Sequence, residues 1–201
     1  MFVVDLKSPG ITITPLWEMA DKRTNEVFYD EVRVPKRYLV GQKNQGWYYM
    51  VWALDLERMI STRHIERLFE ELIGYTKTVL KNGIPLSKDP CVRQKLADMA
   101  IEINVARNLV RRVAWLQDKE IISIYESAIL KVFVTELYQR VAKGGLEILG
   151  LYGLLRKDSK YSVLKGMMEH HFRASFVTTI GGGSSEIMRN IIALKGLGLP
   201  R

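Results

Sequence analysis

Three stretches of this chain repeat apolar residues at intervals of three and four, over lengths that only long helices can use. The first runs from Trp47 to about Leu80, with Val51, Leu54, Ile65, Leu68, Phe69, Leu72 and Ile73 on one stripe. This predicts a single helix of about thirty residues, roughly 50 Å long at 1.5 Å per residue. Lys81-Asn82-Gly83-Ile84-Pro85 should end it, with Gly83 as a left-handed C-cap and Pro85 preventing continuation. The second runs from Pro90 or Cys91 to Gln117, with Val92, Leu96, Met99, Ile103, Ala106, Val110 and Val113 as its seam. The third spans about Ile121 to Leu149, striped by Tyr125, Ile129, Val132, Phe133 and Leu137, and Gly150-Leu151-Tyr152-Gly153 breaks it. A shorter helix is expected from Gly166 to Thr179 and another from Ser184, fading at Gly196. Stripes of this kind must be buried against one another, so the fold class is mostly α, a long-helix up-and-down bundle.

The beginning of the chain reads differently. Phe2-Val3-Val4, Ile11-Thr12-Ile13-Thr14, Asn25 to Tyr29 and Val32-Arg33-Val34 have strand character, punctuated by Pro9-Gly10. So few short strands make no sheet with a core of its own. Residues 1–40 are therefore expected to be the remnant of a β domain, and residues 41–201 the helical bundle.

Composition narrows the function classes. A hydrophobic fraction of 47% with 26% charged residues is that of a globular protein. The formal charge of +8 comes from 30 Lys and Arg against 22 Asp and Glu, scattered without a basic run. That disfavours nucleic acid and suits a polyanionic small molecule. The single cysteine, Cys91, excludes an internal disulfide and fits a reducing compartment, the cytoplasm or a mitochondrial matrix. No apolar run approaches the ~18 residues of a membrane span. His64, His170 and His171 lack metal-ligand spacing, no metal site is expected, and neither a nucleophile elbow nor a P-loop occurs.

Two places could carry chemistry. In Ile180-Gly181-Gly182-Gly183-Ser184-Ser185-Glu186-Ile187, three glycines lead into a helix start that a serine can cap, with Glu186 in the first turn. Glycines allow close backbone approach, and the unpaired N–H groups of a helix start favour anionic or accepting ligands; an ordinary inter-helix loop uses the same residues. The second place is Leu54-Asp55-Leu56-Glu57-Arg58. Counting Met50, Leu54, Glu57, Ser61, Ile65 sets a carboxylate where an apolar residue is expected. Glu57 is then either paired with a nearby arginine or a general base, since a carboxylate in apolar surroundings has a raised pKa and can abstract a weakly acidic proton.

Asn25-Glu26-Val27-Phe28-Tyr29-Asp30-Glu31-Val32-Arg33-Val34-Pro35, Leu39-Val40-Gly41-Gln42-Lys43-Asn44-Gln45-Gly46-Trp47 and Gly181 through Ala193 together resemble the acyl-CoA dehydrogenases. The resemblance covers the end of that family's middle β domain and its C-terminal helical domain. It implies FAD-dependent α,β-desaturation of an acyl-CoA thioester: a carboxylate removes the α-proton, the β-hydrogen leaves as hydride to flavin N5, and an electron-transferring flavoprotein reoxidises the flavin. Many members carry the base in the glycine-containing loop, where this chain has Gly182. In a branch similar to isovaleryl-CoA and long-chain dehydrogenases, a Leu-x-x-Glu-Arg context supplies it, and this matches Glu57-Arg58. The resemblance thus implies Glu57 as catalytic base, Arg58 as electrostatic support, and Gly181 and Gly182 beside the thioester.

The implied flavin contacts are Ser184, Ser185 and Glu186, and, toward a neighbouring subunit's FAD, Glu147, Gly150 and Gly153. In that second turn Glu147 replaces the family's Gln and Leu151 one of its glycines; the family's Arg-x-x-Phe-Gly segment is here Val79-Leu80-Lys81-Asn82-Gly83. The expected partners are acyl-CoA, an electron-transferring flavoprotein, and either copies of this chain or a chain supplying the family's N-terminal half. On this expectation the chain alone binds FAD poorly. The alternative is a non-catalytic assembly subunit providing an oligomer interface; an acyl-CoA oxidase or nitroalkane-oxidase-like activity would use the same bundle.

Overall fold

The computed structural model describes residues 1–121 and 123–200, and of Asp55 the backbone only. Contacts divide the chain into two compact units, Met1–Leu56 and Glu57–Arg201. The strand-to-helix change expected near residue 40 and this division differ because the first helix goes with the first unit.

In the first unit, β1 (Ile11–Trp17) and β2 (Arg23–Tyr29) form an antiparallel hairpin in register from Ile11↔Tyr29 to Trp17↔Arg23. The expected strand at Val32–Val34 is absent. Glu31, at φ 47°, turns the chain away, and a non-glycine residue in that region interrupts any extended pairing. The segment at Phe2 keeps one bridge, to Leu39, flanked by Val3 N–H to Tyr38 O at 3.0 Å and Val40 N–H to Met1 O at 2.9 Å. Helix α1 follows (Gly46–Glu57).

The predicted first long helix is two helices. After α1 the chain leaves helical geometry at Arg58 and resumes as α2 (Arg63–Thr78). Ile60-Ser61-Thr62 combines a β-branched residue with hydroxyls that compete for backbone partners, and the Ser61 hydroxyl accepts from Arg63 N–H at 3.2 Å. The end of α2 also differs from expectation. Gly83 has the expected positive φ, 78°, but with Asn82 at 53° it forms the two-residue turn of a small hairpin, β3 (Leu80–Lys81) and β4 (Ile84–Pro85).

Helix α3 (Pro90–Asp118) starts on an Asp89 cap, whose Oδ1 accepts from Cys91 N–H at 2.9 Å and Val92 N–H at 3.4 Å, with Pro90 at the first helical position. Helix α4 (Ile124–Leu149) is central and packs on α2, α3, α5 (Met167–Thr178) and α6 (Ser185–Ile191). The core joins Ile65, Leu68 and Leu72 of α2, Met99, Ile103, Ala106 and Val113 of α3, and Leu130, Val134, Leu137 and Val141 of α4 to Met168 of α5. The α3 seam is the predicted one. On α4 the expected stripe is buried at Leu137 but exposed at Tyr125, and the other buried positions include Ser127, Lys131, Val134, Thr135, Tyr138, Ala142 and Gly145. A helix covered on several sides has no single apolar stripe for periodicity to find. Gly144 and Gly145 let the neighbours close in: a Cβ would collide with Met99 Cε at the first and with Met168 Sδ at the second.

Candidate active site

The segment between α5 and α6 folds back on itself. Ile180 and Gly181 both donate N–H to Val177 O, at 3.1 and 3.0 Å, Gly183 donates to Ile180 O at 3.2 Å and Ser185 to Thr179 O at 3.0 Å. Gly182 and Gly183 adopt φ of 68° and 113°, which glycine tolerates and side chains rarely do. Among the described residues the Gly182 N–H has no hydrogen-bond acceptor, and nothing lies within 4 Å of where a Gly182 Cβ would be. Ser184 caps α6, its hydroxyl accepting from Ile187 N–H at 3.4 Å.

This loop lines a cavity of about 200 Å³ in the second unit. Gly181 and Gly182 face it together with Glu57 and Arg58, the pair at the end of α1. Val134, Thr135 and Tyr138 of α4, with Lys131 of the same helix, make another wall, and Ile60, His64 and Thr178 complete it. The structure thus brings together four predicted residues: Glu57, Arg58, Gly181 and Gly182. Glu57 itself is exposed at the cavity rather than set into an apolar stripe. The helix break cancels the count that places it there, because the register of α1 does not carry through Arg58–Thr62 into α2. Arg58 is 8% exposed, and its Nε donates to Gly182 O at 3.4 Å.

Among the cavity residues that sequence reasoning missed, three carry titratable side chains. Lys131 is 2% exposed, and its Nζ donates to Gly183 O. Burial, and then the Arg58 charge, pull its pKa below the usual lysine value, with Glu186 opposing. Tyr138 Oη meets His171 Nδ1 at 2.5 Å, and burial pushes the phenol up to about 12, so it stays protonated. His64 sets its ring edge-on to Tyr138 at 4.8 Å. The available signal was the spacing 131, 135, 138, 142, 145, which places a lysine in line with the small and apolar residues of a helix seam.

A second cavity, about 380 Å³ and polar, lies between Glu136, Gln139 and Arg140 of α4 and Thr179, Ile180, Ser185, Glu186 and Arg189. Arg189 pairs with Glu136 at 2.7 Å. Ser185 is 6% exposed, and its Oγ is a buried polar atom without a partner among the described residues. Such an atom costs about 1–3 kcal/mol unless something bonds to it. The Glu186 carboxyl is held below the usual range by its own backbone N–H and the Ser184 hydroxyl, and Arg189 and Lys131 act in the same direction.

The remaining predicted flavin contacts lie elsewhere. Glu147 is exposed and paired with Lys95, which lowers its pKa, and with Lys143 at 4.0 Å. Gly150 caps the end of α4 at φ 63°, and Gly153 is buried in the turn that follows. The α4 residues of the Ser185 cavity end at Arg140, about 10 Å along the helix from Glu147, and none of these three lines that cavity. No group of His, Cys, Asp and Glu among the described residues could hold a metal ion, and no described helix is long and apolar enough to cross a membrane.

Comparison with known proteins gives a consistent result. Residues 44–197 match the model of the acyl-CoA dehydrogenase C-terminal domain. The chain is 31% identical to a probable acyl-CoA dehydrogenase of Bacillus subtilis, YngJ, over 95% of its own length and 50% of that protein. It is 28% identical to human mitochondrial short-chain specific acyl-CoA dehydrogenase, over 96% of its length and 46% of the relative. Among solved structures it superposes on the ChsE4-ChsE5 complex from Mycobacterium tuberculosis with a TM-score of 0.92 at 30% identity, covering all of this chain and 52% of that one. The chain therefore spans about half the length of the curated relatives it matches.

Proposed function

Because this chain belongs to the acyl-CoA dehydrogenase family, of which it carries the C-terminal domain, we propose that its cavity is the proton-abstracting half of an acyl-CoA desaturation site, with Glu57 as the base. The observation that carries this is the meeting of Glu57 with Gly181 and Gly182 on one cavity, from segments far apart in sequence. Glu57 is open to a substrate entering there and makes no salt bridge among the described residues. In the proposed step, a Glu57 carboxylate oxygen takes the proton from the carbon next to the thioester carbonyl. The electron pair left behind spreads onto the thioester oxygen, for which the acceptor-free Gly182 N–H is a donor. Arg58, fixed on Gly182 O, adds positive charge beside the developing enolate.

Members of the family are flavoproteins, and the second cavity fits part of a polar cofactor. Ser185 Oγ lacks a partner in a polar recess, and a hydrogen-bonding group bound there would satisfy it. We assign Ser184, Ser185 and Glu186 to FAD on that basis, and Glu147, Gly150 and Gly153 to the FAD of a neighbouring subunit by resemblance. When bound, the flavin supplies the acceptor for the β-hydrogen and its two electrons. Acyl-CoA as substrate, an electron-transferring flavoprotein as oxidant, and assembly with copies or with a complementary chain belong to the same proposal. The similar structure of a ChsE4-ChsE5 complex supports the last.

The test is Glu57→Gln in the full-length, flavin-loaded protein. Acyl-CoA-dependent bleaching of the flavin should slow by about 10²–10⁴-fold, the range for removing a general base, with flavin still bound. Bleaching at the wild-type rate contradicts the assignment.

A further inference from the structure

An ammonium group as deeply buried as that of Lys131 costs several kcal/mol unless strong acceptors surround it. What meets it is backbone: Nζ donates to Gly183 O, while Arg58 Nε donates to the neighbouring carbonyl, Gly182 O, at 3.4 Å. Two cations are thus held on consecutive carbonyls of a loop whose φ values, 68° and 113°, suit glycine. Fixing these carbonyls fixes the two peptide planes after Gly182. The N–H of Gly181 on Val177 O pins the plane before that residue. The Gly182 N–H therefore sits between clamped planes.

We propose that Lys131 is a positioning residue that clamps the glycine loop through Gly183 O and so holds the Gly182 N–H at the cavity. Charge-assisted bonds to a carbonyl are stronger than neutral ones, and a cation on each of two adjacent carbonyls resists rotation of the intervening peptide more than either alone. The lowered pKa of Lys131 fits a group held in place by geometry against its own desolvation. The structural part of this inference stands on the loop alone; its kinetic part rests on reading the cavity as the reaction site.

Lys131→Met in the full-length protein removes the donor at similar length. Millisecond hydrogen exchange at the Gly183 and Ser185 amides should accelerate at least about tenfold, with the core amides of Leu72 and Ile103 unchanged. Lys131→Arg, which restores a cationic donor, should stay within about threefold of wild type. Turnover of Lys131→Met should fall by about 10²-fold in kcat, the cost of misplacing a donor by about 1 Å, with KM little altered. Should Lys131→Met fail to fold, Lys131→Gln serves, because it keeps polarity but is too short to reach Gly183 O. Unchanged loop exchange, or acceleration spread equally over α2 and α3, overturns the positioning role. Accelerated loop exchange in a protein whose Glu57→Gln variant turns over normally supports the role of Lys131 and refutes the proposed function. The reverse pattern does the opposite.

Discussion

Glu66 and Glu57, close in sequence, occupy opposite situations. Glu66, on α2, is wrapped: Oε1 accepts from Thr62 Oγ1 at 2.7 Å and from Arg107 Nε at 2.8 Å, and Arg63 reaches Oε2 at 3.4 Å. Arg107 above all, with Thr62 and Arg63, holds its pKa down to about 2 against the effect of burial. Glu57 lies exposed on a cavity wall. A carboxylate that serves the bundle is recognised by donors from two helices. The ion-pair role that sequence alone leaves open for Glu57 is filled by Glu66, and the carboxylate that remains accessible faces the glycine loop.

That contrast can be broken in several ways. The largest expected effect is kinetic: Glu57→Gln should cost about 10²–10⁴-fold in the reductive step while shifting stability by less than about 0.5 kcal/mol, as surface changes do. Paired stopped-flow and thermal melts check both halves. Glu66→Gln should show the inverse, a loss of about 1–2 kcal/mol by urea denaturation from Arg107 losing its carboxylate, with the reductive rate at 25 °C unchanged.

A smaller effect concerns acid. The folded pKa of Glu66, about 2, is below its ordinary 4.5. Its contribution is therefore complete above pH 4.5 and disappears as pH falls toward 2. At full strength the shift corresponds to about 3 kcal/mol, and solvent near the partly exposed Arg107 reduces this to roughly 1–2 kcal/mol. Denaturation at about pH 6 and about pH 3 should show this dependence in wild type and a flatter one in Glu66→Gln. The smallest effect should be Ser185→Ala. Removing a hydroxyl that bonds the cofactor should weaken FAD binding by about 0.5–1.5 kcal/mol, measured by flavin fluorescence, and an unchanged affinity would detach Ser185 from the flavin.

Much of the bundle is legible in the sequence because α3 buries one face, and a single face leaves a clean period in Val92, Met99, Ile103, Ala106 and Val113. The central helix is misread for the opposite reason. Neighbours on several sides bury Ser127, Thr135 and Lys131 along with leucines, so its periodicity is blurred and the lysine that holds the loop escapes notice. The break after Glu57 is invisible to counting by three and four, because Glu57, Ser61 and Ile65 keep intervals of four across residues 58–62 that are not helical. Glu57 is set beside the glycine loop by its resemblance to a known motif and not by the stripe that first suggests it, and it lines one cavity with Gly181 and Gly182. Asn82-Gly83 offers a parallel, since the signal for positive φ is correct there and the element it serves is a hairpin turn rather than a helix cap.

The most direct measurement of the central claim is proton exchange uncoupled from oxidation. A 3-thia-acyl-CoA has sulfur at its β-position and cannot give up hydrogen there, so exchange of its α-protons with deuterated water in the full-length protein reports the base alone. The wild-type protein should catalyse that exchange, and Glu57→Gln should slow it by about 10²–10⁴-fold; equal rates in the two proteins would contradict Glu57 as the base.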